Sequence, residues 1–398
     1  MARPEATARR KAARLRESSN DLSAEPVRAA IIRMNETELR SWLRLNRLEL
    51  SPRAAAALLE RFGGPEAVFD ASEAELRSVE RLTDKGAAKV LAPAPAALDR
   101  DLKIIEEHRI SVIPISSPDY PDSLRQIYDP PILLYVKGAL VESDKMSIAI
   151  VGSRRASIYG KSVAERIAAD LARRGLTIVS GGARGIDTAA HKGALAAGGR
   201  TIAFLGCGID VGYPPENKNL FDAIAECGAV ISEFPLGAVP EPWRFPPRNR
   251  LISGISLGVL VCQSPQASGA LITAGYAAEQ GKDTFAVPGN VDDERNRGCH
   301  KLIQDGALLV QDASDILREL GIDTGEDQES IRQMALPIES LNEQERDIAA
   351  LLSLEPMPVD EIIEKTGLPA PMVSGTLTVL EMKNVVRRVP GNAYVRVI

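Results

Sequence analysis

The chain has 398 residues, 44% hydrophobic but only 4% aromatic, so it is long enough for two or three domains whose cores are built mainly from Ala, Leu, Ile and Val. Its net charge of -6 excludes a bulk electrostatic attraction to DNA, and any nucleic-acid binding must come from a local basic patch. No stretch approaches the roughly 18 apolar residues of a membrane span, and no apolar signal region follows the basic N-terminus. The four cysteines (Cys207, Cys227, Cys262, Cys299) form no CxxC and the histidines number only three, so neither a metal nor a cofactor is expected. The expected setting is the cytoplasm, with reduced thiols and no membrane contact.

Residues 1–33 are rich in Ala, Arg, Glu and Ser and lack an apolar period, which reads as a disordered tail. Residues 34–110 read as a helical module of the SAM-like kind. Trp42, Leu43, Leu45 and Leu48 fall near helical spacing, Leu58, Leu59 and Phe62 follow, and Gly63-Gly64-Pro65 stops the run. Short helices are expected near 73–80 and 84–91. Tyr120–Gly138 is a bridge with a short strand at Ile132–Val136.

Strand and helix signals then alternate through a domain spanning 111–320. Strands are expected at Ser147–Gly152, Leu176–Ser180, Arg200–Gly206, Ala229–Phe234, Leu257–Cys262, Asp283–Val287 and Ala307–Val310. Helices are expected at Gly160–Arg174, Ile186–Ala197, Asn217–Cys227, Gly269–Gln280, Gly298–Gln304 and Asp312–Leu320. Continuously apolar strands between helices imply a doubly wound, mainly parallel α/β sheet of extended Rossmann-like form. Residues 321–337 are acidic and polar, a linker. In 338–398, helices at Asn342–Leu352, Val359–Thr366 and Pro371–Asn384 precede a hairpin of Val385–Val389 and Ala393–Val397, a winged helix.

Ligands of open α/β sheets bind beyond the carboxyl ends of the strands. After the first Rossmann strand stand Gly152, Ser153, Arg154 and Arg155, where an arginine fork suits phosphate and a solvated loop is the plain alternative. After the next come Ser180, Gly181, Gly182, Ala183, Arg184 and Gly185, either an anion-binding nest of backbone N–H groups or tight turns made for packing. Asp187 would cap the following helix or orient an arginine, and His191 reads more readily as a packed residue than as a catalyst. A dinucleotide site would need GxGxxG after the first strand; GSRRAS stands there. The run Trp243, Arg244, Phe245, Pro246, Pro247, Arg248, Asn249, Arg250 interleaves arginines with aromatics. Its prolines argue for an extended loop, either gripping a strand by phosphate contact and base stacking or lying on the surface with Trp243 and Phe245 buried. Ser268 and Gly269 at a helix start complete the rim, and Lys161 and Lys218 add charge.

Taken in order, YPDSLRQIYDPPILLYVKG, AIVGSRRASIYG, VSGGARGIDTAAHKGAL, FLGCGIDVGYPPEN, SEFPLG, FPPRNRLISGIS, SGALITAGYAAEQGK, FAVPG and GCHKLIQDGA resemble the DNA-processing protein DprA (Smf) family over about residues 120–310. The resemblance implies a non-enzymatic, single-stranded-DNA-binding protein that acts as a dimer, displaces single-strand-binding protein and loads RecA during natural transformation. It implies strand contacts centred on Arg154, with Arg155, Lys161, Arg244, Phe245, Arg248 and Arg250 around it. The chain also resembles phosphoribohydrolases that cleave nucleoside monophosphates, but SGALITAGYAAEQ lacks their PGG run and retains only Glu279 of the catalytic pattern. A duplex-reading winged helix is a third reading. Its recognition helix, 371–383, carries only Lys383 as a basic residue, so an accessory role fits better.

Overall fold

The computed structural model describes residues 34–322 and 341–396, except 354, 355, 384, 390 and 391. The expected N-terminal tail and nearly all of the expected linker lie outside the described residues.

The helical module comprises α1 (Glu36–Arg47), α2 (Pro52–Phe62), α3 (Pro65–Asp70), α4 (Glu73–Arg77), α5 (Asp84–Leu91) and α6 (Ala97–Glu107). Side chains of Asn35, Ser51, Ser72 and Thr83 cap four of these helices by accepting from otherwise unpaired backbone N–H groups. α1 turns Leu39, Trp42 and Leu43 inward at helical spacing. Their cluster continues without a break into Val112, Leu133, Tyr135, Ala203 and Val230 of the sheet, so the module covers one sheet face and shares its core. Asn46 and Arg47 fasten the contact: Asn46 donates to the Glu233 carbonyl at 3.1 Å and Arg47 to the Leu236 carbonyl at 3.0 Å.

The main sheet has nine strands in the order β1-β2-β6-β5-β4-β3-β7-β8-β9. These are β1 (Ser111–Pro114), β2 (Leu133–Gly138), β3 (Ser147–Val151), β4 (Thr177–Ser180), β5 (Thr201–Phe204), β6 (Ala229–Ser232), β7 (Gly258–Val261), β8 (Asp283–Ala286) and β9 (Leu308–Leu309). From β6 to β9 every pairing is parallel, whereas β2 runs antiparallel to both β1 and β6. The expected bridge strand is therefore part of the sheet. β1 was not foreseen, because a four-residue strand at an edge leaves too short a pattern to read.

α7 (Asp122–Arg125) lies within the segment joining β1 to β2. The larger helices are α8 (Ile158–Arg173), α9 (Ile186–Ala196), α10 (Lys218–Cys227), α11 (Phe245–Ile255), α12 (Gly269–Glu279), α13 (Arg297–Gln304) and α14 (Ala313–Glu319). They cover both faces, which is why Ile148, Ala149 and Ile150 of β3 are all fully buried.

The chain leaves β3 toward β4, β5 and β6 on one side and returns to place β7, β8 and β9 on the other. The switch point thus lies between the carboxyl ends of β3 and β7, where open α/β sheets hold their ligands.

The C-terminal unit is a winged helix: α15 (Glu343–Leu351), β10 (Met357–Pro358), α16 (Val359–Thr366), α17 (Ala370–Met382), β11 (Val386–Val389) and β12 (Ala393–Arg396). Its core includes Leu341, Ile348, Ile362, Leu377 and Tyr394. A second small cluster, Val389, Ala393 and Val395, packs on Ile158 at the start of α8.

Candidate nucleic-acid interface

The loop after β3 is fixed from beneath. The Ser153 N–H donates to the Gln263 carbonyl at 2.7 Å, and the Ser157 N–H donates to the Gln263 side-chain oxygen at 2.7 Å. Gln263 in turn donates to Asn296 at 3.0 Å. A Cβ on Gly152 would stand 2.5 Å from Ile186 Cγ1 and 2.8 Å from the Gln263 carbonyl, so only glycine lets the loop sit this close. Held this way, Arg154 and Arg155 are exposed. Among the described residues neither guanidinium has a hydrogen bond or a carboxylate partner; Arg154 lies 5.0 Å from the centre of the half-buried Phe245 ring. Lys161 in the first turn of α8 and Lys218 at the start of α10 are exposed as well. Gln263 and Asn296 escaped the sequence reading. The signal for Gln263 was a lone amide directly after the apolar run LGVLVC.

The glycine turn resolves toward packing. The Asp187 carboxylate accepts from the backbone N–H groups of Gly181 and Ala183, each at 3.2 Å, so those donors face an internal acid. Ser180 is fully buried and donates to the Ile150 carbonyl at 2.6 Å. Gly182 and Gly185 take positive φ, 65° and 80°. A Cβ on Gly185 would meet the Ser153 carbonyl at 2.2 Å, so the turn is shaped to support the Arg154 loop. Arg184 is exposed but paired with Glu216.

The arginine–aromatic run also differs from expectation. It is no extended loop: a 3-10 turn at Pro242–Arg244 leads directly into α11, with its prolines in the first turn. The reason is that early helical N–H groups have no intrahelical acceptor, so proline loses nothing there. The helix turns Arg248 and Arg250 inward. Arg248, 4% exposed, donates to the Gly181 carbonyl at 2.7 Å and to the Phe204 carbonyl. It faces Asp187 across Gly181, whose missing Cβ would lie within 2.8 Å of both side chains. Burial pushes the Asp187 carboxyl up and the Arg248 guanidinium down to about 10. Arg250 makes a two-pronged pair with Glu233 at 2.6 and 2.7 Å, and Arg244 pairs with Glu49 at 2.9 Å. All three arginines sent to the rim by the sequence reading are interior groups. Of the aromatics, Phe245 sits half-buried over Gly206 beside Arg154, whereas Trp243 is 54% exposed on another face. Asn249 of α11 donates to the Gly269 carbonyl at 3.2 Å, and Ser268 caps α12, so these expected contributors meet where α11 adjoins the start of α12.

His191 is fully buried. Thr201 donates its hydroxyl to the Ile178 carbonyl at 2.7 Å, so its oxygen accepts from His191 Nδ1–H, also at 2.7 Å. Nε2 is left buried without a partner, and burial lowers the imidazole pKa to about 3. It is a neutral packed histidine.

A cavity of about 850 Å³ lies elsewhere, between the helical module and α11–α12. Its charged lining is predominantly acidic: Glu49, Asp129, Glu233 and Glu279 against Arg250 and Lys282. That balance repels phosphate, and it places Glu279 away from the Arg154 loop. No helix among the described residues is long and apolar enough to cross a membrane. All four cysteines are free thiols.

Comparison with known proteins agrees with this architecture. Residues 111–321 match the family described as DNA recombination-mediator protein A, and residues 332–392 match the DprA winged helix domain. The chain is 34% identical to Protein Smf of Synechocystis, with 91% of this chain and all of that protein aligned. It is 45% identical to the DNA processing protein DprA of Bacillus subtilis over 56% of this chain and 75% of that one. The X-ray structure of DprA from Streptococcus pneumoniae superposes with a TM-score of 0.63 at 36% identity, covering 70% of this chain and 97% of that one. The chain belongs to the DNA recombination-mediator protein A family, the DprA/Smf proteins, and is a DNA-processing recombination mediator.

Proposed function

We propose that the chain binds single-stranded DNA along the rim over the β3–β7 switch point and delivers it to RecA. The observation that carries this reading is the pair Arg154 and Arg155, exposed and, among the described residues, without salt-bridged carboxylates on a loop fixed from beneath. An arginine that has no internal anion is available to an external one. Lys161 and Lys218 extend the positive rim, Phe245 offers a ring beside Arg154, and Ser268, Gly269 and Asn249 line its α11–α12 side. Arg244, Arg248 and Arg250, with the Ser180–Gly185 turn, act from behind by fixing α11 and the loop. The role is binding rather than catalysis: Asp187 serves backbone N–H groups and Glu279 lines the acidic cavity. RecA loading, displacement of single-strand-binding protein and a place in natural transformation rest on family membership, and a cytoplasmic location follows from them. A homodimer is supported by the edge strand β9, which exposes Leu308 at 38% and Leu309 at 42%.

The test is oligo-dT affinity of Arg154→Ala/Arg155→Ala against wild type across a salt series. Two lost phosphate contacts should weaken binding at least tenfold at low salt and flatten the slope of log K against log salt by about 1.4. Equal binding at every salt concentration overturns the reading.

A further inference from the structure

The winged helix contacts the central unit beside the Arg154 loop, and the pairing of its hairpin shows which side chains face that way. In the β11–β12 ladder Val389 pairs with Ala393 and Arg387 with Val395. Side chains alternate along a strand, so Arg387, Val389, Ala393 and Val395 share one face, while Val386, Arg388, Tyr394 and Arg396 share the other. The second face belongs to the winged-helix core, through Val386 and Tyr394. The first is buried against Ile158: Val389 is 8% exposed and Val395 only 1%. Ile158 follows the capping residue Ser157 and lies four residues beyond Arg154.

Arg387 therefore stands on the docked face yet is itself exposed. Among the described residues it has no hydrogen bond or carboxylate partner. Arg388, on the opposite face, differs: its guanidinium donates to Asn392 at 3.0 Å. The docked hairpin leaves Arg154 and Arg155 exposed, so it borders the rim without closing it.

We infer that Arg387 of the wing is a further single-strand phosphate contact, held in line with Arg154 and Arg155 by the seat of Val389 and Val395 on Ile158. The winged helix thereby lengthens the strand track of the central unit. This rests on the single-strand reading of the Arg154 loop.

The test uses the full chain and fluorescent oligo-dT, with duplex of the same length in parallel. Arg387→Ala should weaken oligo-dT binding by about 3- to 10-fold at low salt and reduce the salt slope by about 0.7, the share of one single-strand phosphate. Val389→Ser, which loosens the seat from the wing side, should produce a similar loss, and adding Arg387→Ala to it should change little more. Arg387→Lys should recover most of the binding, because the charge is kept. Unchanged oligo-dT affinity and slope in Arg387→Ala, with binding still lost in Arg154→Ala/Arg155→Ala, overturns this inference and leaves the single-strand reading standing. Loss confined to duplex also overturns it, since the wing would then serve a separate duplex site. No oligo-dT binding by wild type removes both.

Discussion

Two arginine clusters, 154–155 and 244–250, look alike in the sequence and end in opposite environments. The first stands on a loop whose backbone is held by Gln263 while its guanidinium groups make no hydrogen bond or salt bridge among the described residues. The second enters a helix that turns Arg248 onto two main-chain carbonyls and Arg250 onto Glu233. A guanidinium turned onto acceptors inside the fold has little left for a ligand, whereas one without hydrogen-bond partners has its full capacity free. Partnership, more than residue type, separates a binding arginine from a structural one.

The largest expected effect breaks the interior side of this comparison. Arg250→Ala leaves Glu233 nearly buried and unpaired, which should lower unfolding free energy by about 3–5 kcal/mol. Urea denaturation measures it. A loss under about 1 kcal/mol would show that the pair is solvated and that Arg250 is free to turn outward.

Much of the architecture was legible in the sequence because buried parallel strands are continuous apolar runs, and SIAIV, TIVS and GVLV announce themselves. The site was legible only in part. Arg154 follows directly from its place after β3. The fate of Arg248 and Arg250 depended on proline being read as a helix breaker, although Pro246 and Pro247 occupy the first turn, where proline is tolerated. Their partners, Gly181, Phe204 and Glu233, are distant in sequence, so no local pattern reveals them. Asp187 does not cap the following helix, which has no side-chain cap; it accepts from two N–H groups of the preceding glycine turn and so removes them from any anion, which needed coordinates.

Next in size is the contact between the turn and the exposed loop. Gly185→Ala demands a Cβ at positive φ and 2.2 Å from the Ser153 carbonyl, so either the turn or the Arg154 loop must shift. The expected loss is about 2–3 kcal/mol, together with weaker oligo-dT binding although no charge has changed. Lost stability with intact binding would show that the loop holds its shape without the turn.

His191 reports on the same interior. The folded protein keeps the imidazole neutral down to about pH 3, while the unfolded chain protonates it near pH 6.5. The unfolded state therefore binds more protons in that window, and stability is full above it and falls as pH drops. Between pH 7.5 and 5 the loss from this group should be about 2 kcal/mol. Denaturation midpoints of wild type and His191→Asn over that range isolate it, because the variant should lack this share of the slope. Parallel curves would mean that the histidine gains a proton in the folded state despite its burial and the nearby Arg248 charge.

The smallest effect falls on the exposed side, and its size is the informative part. Arg154→Ala/Arg155→Ala removes two cations that make no ion pair among the described residues, so unfolding free energy should change by no more than about 0.5 kcal/mol. The change should be small because two effects oppose each other: the Arg154 charge repels buried Arg248 and favours the buried Asp187 carboxylate. Thermal unfolding at low and high salt reads both size and origin, since an electrostatic contribution of either sign shrinks as salt rises. A variant that loses oligo-dT binding while its melting temperature holds or rises would mark Arg154 and Arg155 as groups held for a ligand. A loss of more than about 1 kcal/mol would instead assign them to the fold and place them with Arg248 and Arg250.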